Sequence, residues 1–187
     1  MGNYYVMRGL AETKVVVLYS LSSPSLRDDW MLARRFTDPV SEPVEAVVNS
    51  DHETGVLLPF YDSPQIMRQD VYEAVVGAGV DNIDVYKAVV KREDGGVVAE
   101  DYLAYNILGA VKAADLGTTQ FAPENPSRMI DASIERLTVD ENRAGNLLMF
   151  RLAESISTIV VHAKVKAAVE ARGIPHISFI ASGEFVF

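Results

Sequence analysis

Apolar residues recur along this chain with two periods. From Val71 to Val76, and again from Val165 to Val169, they fall at the i, i+3 and i+4 spacing of a helix with one buried face. Each run is followed by a glycine, Gly79 or Gly173, that suits a helix stop. Short runs with apolar residues at alternate positions come next, Ile83 and Val85 in one and Ile177 and Phe179 in the other, and these predict strands. The two units align without a gap, 94 residues apart: Val71 meets Val165, Ala74 meets Ala168, Val75 meets Val169, Gly79 meets Gly173 and Ile83 meets Ile177. Polar positions do not follow, since Glu73, Asp84 and Lys87 face Ala167, Ser178 and Ala181. The repeat therefore specifies backbone and core, not a reactive group. It predicts burial of Val71, Val75, Ile83 and Val85 with Val165, Val169, Ile177 and Phe179. Both glycines are expected at positive φ as helix C-terminal caps.

Outside the repeat, apolar alternation and β-branched residues predict strands over 3–7, 14–21 and 43–49, with 56–61 an edge interrupted by Pro59. A helix over 26–35 is expected between them, capped by Ser25, with Trp30 plugging an edge of the core. Strands over 84–91 and 97–108 flank Glu93-Asp94-Gly95-Gly96, a hairpin signal. A loop follows over 116–128, then strands over 130–139 and 147–152 around a polar turn, and a brief strand over 159–161. Few helices separate the strands, which argues against a regular βαβ array. The expectation is one α+β domain over 1–187: mostly antiparallel sheet, a few packed helices and a duplicated helix–Gly–strand unit.

Composition narrows the chemistry. An apolar fraction of 49% over 187 residues suffices for a core without a disulfide or metal staple. The absence of cysteine removes thiol catalysis and cysteine-ligated zinc, and agrees with a reducing cytoplasm. A net charge of −9 argues against direct nucleic-acid binding; it reads as a solubility feature or, alternatively, as a field that attracts a basic partner. Apolar runs are too short to span a membrane, and the start lacks the pattern of a secretory signal. A cytoplasmic protein is expected.

No motif supplies a reactive centre. Gly77 and Gly79 suggest a dinucleotide loop, but Asn82 holds the third glycine position and the glycines follow a helical pattern, the reverse of that motif's order. His52, His162 and His176 lack metal-ligand spacing. Of the adjacent acids, Asp28-Asp29, Glu93-Asp94 and Asp140-Glu141 read as turn or cap residues. Glu100-Asp101 would point to opposite faces of a strand. No nucleophile elbow or Ser–His spacing occurs. No catalytic residue, cofactor site or metal site is assigned.

Three blocks carry a family likeness. One runs from Pro64 to Val85. Another is Asp101-Tyr102-Leu103-Ala104-Tyr105-Asn106-Ile107-Leu108, ending near Ala114-Asp115. The third is Leu148-Met149-Phe150-Arg151-Leu152-Ala153-Glu154, followed by Ile159-Val160-Val161 and the stretch from Val165 to Phe179. Together they resemble the eleventh immunity-protein family of bacterial polymorphic-toxin systems, formerly a domain of unknown function. The likeness covers about residues 63–182, so 63–187 forms the family-like core and 1–62 an N-terminal portion that matches less clearly. It implies a cytoplasmic antidote that binds a cognate toxin protein and blocks it by occupation, with no chemistry of its own. Glu93, Asp94, Glu100 and Asp101 are the candidate partner contacts. The alternatives are a non-catalytic interaction or assembly module on the same scaffold, and an enzyme with a dispersed acidic site.

Overall fold

The computed structural model describes residues 2–122 and 133–184. Within them the fold is α+β. Its strands are β1 (Tyr4–Gly9), β2 (Val44–Val47), β3 (Phe60–Tyr61), β4 (Ile66–Arg68), β5 (Ile83–Lys91), β6 (Val97–Ile107), β7 (Ala110–Val111), β8 (Gln120–Phe121), β9 (Ile134–Arg136), β10 (Met149–Leu152), β11 (Ser155–His162) and β12 (Ile177–Ala181). The helices are α1 (Gln69–Gly77), α2 (Glu141–Ala144) and α3 (Ala163–Ala171). One sheet has the order β12-β1-β11-β10-β7, a second has β2-β5-β6-β4-β3, and β8 pairs with β9. Pairing is antiparallel except for β2 with β5 and β7 with β10.

The sequence repeat is a structural duplication larger than the matching residues. In the first copy β4 leads into α1, β5 follows, and β6 lies between β4 and β5, antiparallel to both. In the second, β11 leads into α3, β12 follows, and the strand between them is β1. The registers agree residue by residue. Met67 pairs with Leu103 and Val85 with Tyr105 in one copy, while Val161 pairs with Tyr5 and Phe179 with Met7 in the other. Even the turn contact recurs: the Leu108 N–H donates to the Asn82 carbonyl at 2.8 Å, and Leu10 N–H to His176 carbonyl at 2.9 Å. The chain's first strand thus completes the last copy.

Both helices pack into one core between the sheets. Val71 and Val75 of α1 and Val165 and Val169 of α3 are fully buried there with Met7, Met67, Tyr105 and Val161. Ile83, Val85, Ile177 and Phe179 pack against the same cluster but stay partly exposed, because they lie toward the rim of their sheets. Gly79 and Gly173 adopt φ of 104° and 64°, as expected of glycines that end helices. His162 is the N-cap of α3, its Nδ1 accepting the Lys164 N–H at 3.2 Å. On β10, between β11 and β7 of the first sheet, Arg151 is fully buried. Its Nη1 donates to the Ile156 carbonyl at 2.9 Å, and burial pulls the guanidinium pKa down.

Three expectations are corrected. Residues 26–35 form a series of turns, not a helix. The buried Asp28 carboxylate accepts from the N–H groups of Thr37 and Asp38 at 2.7 and 3.1 Å, and Ala33 sits at φ 53°. Within the segment Asp29 Oδ1 takes the Met31 N–H at 2.8 Å, a backbone donor that a helix would have used. Residues 14–21 make only isolated bridges, Val15 with Val56 and Leu18 with Val48. The polar turn near 140–145 contains α2, with Asp140 capping it through bonds from Asn142 and Arg143 N–H. Trp30 does plug an edge: it is buried, meets Phe36 and Tyr86 edge-on at 5.0 and 5.8 Å, and donates its indole N–H to Ser22 carbonyl at 2.9 Å. The expected loop over 116–128 and strand over 130–139 fall partly outside the described residues.

Candidate binding face

The duplication breaks at one place. β12 ends at Ala181, the counterpart of Lys87, whereas β5 continues to Lys91 and turns back into β6. Residues 88–101 form a hairpin arm with no equivalent among the described residues of the second copy. Gly95, at φ 88°, makes the reversal. Strand alternation gives the arm two faces. Ala88, Val90 and Tyr102 point into a second core with Val44, Ala46 and Ala104. Lys87, Val89, Lys91, Val97 and Leu103 point the other way, past the N-terminal end of α1, and line an open groove of about 540 Å³.

A β-bulge shapes that groove. Ala88 pairs with Tyr102 and Val90 with Ala99, so Glu100 and Asp101 together oppose the single residue Val89. The expectation that these two acids face opposite sides is thereby corrected: both line the groove, because the extra residue of a bulge breaks the alternation. The surface carries mixed charge, with Lys87 and Lys91 set against Glu100 and Asp101, and Lys91 Nζ paired with Glu45. Val97 remains about half exposed (52%) and Val98 only slightly less so.

The other two predicted acids lie at the tip. Glu93 accepts the Tyr19 hydroxyl at 3.0 Å and the Ser50 hydroxyl at 3.3 Å. That hydrogen bond, with smaller effects of burial and of the charges of Glu93 and Asp51, raises the Tyr19 pKa. Asp94 closes its own turn by accepting the Gly96 N–H at 2.8 Å. The structure thus brings Glu100 and Asp101 together, while at the end of the same arm Glu93 is tied to Tyr19 and Ser50 and Asp94 closes the turn. Tyr19, Lys87, Lys91 and Val97 were missed by sequence reasoning. The hairpin signal locates three of them, but only the sheet register shows that they share a face.

Elsewhere, His52 lies in a short 3₁₀ turn, His162 caps α3 and His176 stands at φ 61°. Among the described residues, no three His, Asp or Glu side chains gather as a metal site, and no helix is long and apolar enough to cross a membrane. No protein-family model matches the chain, and no curated protein does.

Proposed function

We propose that this chain is an antidote of a bacterial toxin system, which acts in the cytoplasm by binding a toxin protein and occupying it. One observation carries the reading. The arm that departs from the internal duplication carries the exposed Val97 and Val98, a bulge and clustered charge, while the aligned valines of the two duplicated helices lie in the core. A bulge placed beside an open face is a common way to aim side chains at a partner. Exposed apolar residues within a charged rim suit a protein interface. The family likeness over residues 63–182 supports the same reading.

Occupation requires stoichiometry. Purified protein mixed with the toxin encoded beside it should protect in proportion to its amount, saturating near equimolar ratio. Full protection at strongly substoichiometric amounts would mean turnover and overturn the occupancy mechanism. Failure to form a complex with that toxin would overturn the antidote reading itself.

A further inference from the structure

β12 forms the outer edge of the first sheet, next to β1 and with no further strand beside it among the described residues. The Ser182 N–H donates to the Tyr4 carbonyl at 3.1 Å and the Leu10 N–H to the His176 carbonyl at 2.9 Å. In the β1–β12 register these bonds make the even-numbered residues of β12 the ones that pair inward. Ile177, Phe179 and Ala181 therefore turn their N–H and C=O groups outward. Ala181 is already engaged: its N–H donates to the Glu184 carboxylate at 3.3 Å, and its carbonyl accepts the Glu184 N–H at 3.0 Å. The outward groups of Ile177 and Phe179 have no partner among the described residues.

The first copy shows how such an edge is covered. On the equivalent side of β5 the Glu42 carboxylate accepts the Lys87 N–H at 2.6 Å, Arg35 pairs with Asp84 at 3.2 Å, and β2 lies along 88–91. The second copy has Ser178 where Asp84 stands, so the charge that holds Arg35 has no counterpart. Ile-Ser-Phe-Ile-Ala also lacks the charges and the proline by which natural edge strands avoid pairing. An open groove of about 600 Å³ lies against it, lined also by Lys166 and Glu170 of α3 and by the exposed Leu10.

We propose that this edge pairs with the same edge of a second copy of the chain, antiparallel about a two-fold axis at Ser178. In that register Ile177 faces Phe179 of the second copy and the reverse, each pair exchanging both of its N–H···O bonds. The next pair outward would be Pro175 with Ala181. Proline has no N–H to give, and Ala181 is held by Glu184, so the open groups end at the same place on both strands. The side chains agree with that axis. Ile177 and Phe179, half-buried, meet across it on the α3 face, and the Ser178 hydroxyls meet on the other. Lys166 stands over the Phe179 ring at 5.9 Å, and Glu170 lies one helical turn closer to the start of β12. The axis that sets Phe179 against Ile177 therefore carries Lys166 toward Glu170 of the second copy, a match of charge that a foreign strand would have to supply anew.

The test uses the full chain and no toxin, so its outcome is separate from the antidote reading. Sedimentation equilibrium from micromolar to millimolar concentration should show the mass doubling. Amide exchange should follow it: the Ile177 and Phe179 N–H groups gain protection as concentration rises, while those of Ser178 and Ile180, bonded to β1, are protected throughout. Ser178→Lys and Ser178→Asp, which set like charges face to face, should each weaken dimerisation by about tenfold or more. Mixing the two variants should restore it, which chains that failed to fold would not do. A chain that stays monomeric, whether its edge is free or takes a strand only from another protein, would overturn the proposal. So would Ile177 and Phe179 amides insensitive to concentration, a Ser178→Lys variant that dimerises as wild type, or folded variants that do not recover on mixing.

Discussion

Asn82, in the turn after α1, donates its side-chain amide to the carbonyl of Met149 in the opposite sheet at 2.9 Å, and to the carbonyl of Leu108 at 2.8 Å. One side chain therefore ties the end of β6 to β10, across the line where the two sheets meet. Asn82→Ala would leave both partly buried carbonyls without that donor. It should cost about 1–3 kcal/mol, read from urea unfolding, and a loss near zero would mean that water replaces the amide freely.

The duplication predicts matched losses in the core. Val71 and Val165 are both fully buried at the same place in α1 and α3. Val71→Ala and Val165→Ala should each destabilise by about 1–3 kcal/mol, with similar values. Phe179→Ala should cost no more than about 3 kcal/mol, less than for a fully buried ring, because its ring is partly exposed. Thermal or urea melts check all three, and a large disparity between the valines would show that the copies do not share the load.

The two capping glycines should differ. At Gly173, φ is 64° and a Cβ would meet nothing within 4 Å, so Gly173→Ala carries only the left-handed penalty of about 1–2 kcal/mol. At Gly79, φ is 104° and a Cβ would approach Leu148 Cδ1 at 3.3 Å. Gly79→Ala is expected to be the more damaging change, measured by melting temperature.

Acid should loosen the turns over 22–37. Burial pushes the Asp28 carboxyl pKa up, but bonds from Thr37 and Asp38 and the charge of Arg34 outweigh it and hold the pKa below the usual carboxylate value. A depressed carboxylate contributes stability at pH above its unfolded value, about 3.9. That contribution is lost as pH falls through the folded value. The sole tryptophan, Trp30, lies beside it and serves as the reporter. Its emission should shift to the red below about pH 4, whereas Asp28→Asn should show the shifted emission already at neutral pH.

On the arm, Glu100→Lys and Asp101→Lys should slow association with a basic toxin by about tenfold at low salt and far less at physiological salt. Stopped-flow association rates at two ionic strengths check this. Unchanged rates would place the contact elsewhere.

The helices of the repeat were legible because each combines a 3.6-residue apolar period with a terminal glycine, and the 83–91 and 97–107 hairpin because Asp-Gly marks its turn. The turns around Asp28 were not, since residues 26–35 carry a helical pattern that local bonds, Asp29 to the Met31 N–H among them, and the tie from Asp28 to Thr37 and Asp38 override. Nor was the bulge at Glu100-Asp101: strand composition does not say where a register slips. Tyr5 and Met7 occupy the places of Leu103 and Tyr105, yet the side chains share too little for the likeness to show. The candidate groove was half visible, as two acids in a strand, while its lysines and valines became part of one surface only through pairing.

The position of β1 sets an order of events during synthesis. This strand is made before either of its neighbours, β11 and β12, which belong to the last part of the described chain. While ribosomes extend the polypeptide, β2 through β6 find all their sheet partners among themselves. The first copy can therefore assemble while translation continues. β1 gains its partners only once β11 and β12 have been made. Contacts of such long sequence separation form late and slowly, so the joining of β1 to β11 and β12 is the slow step that closes the first sheet.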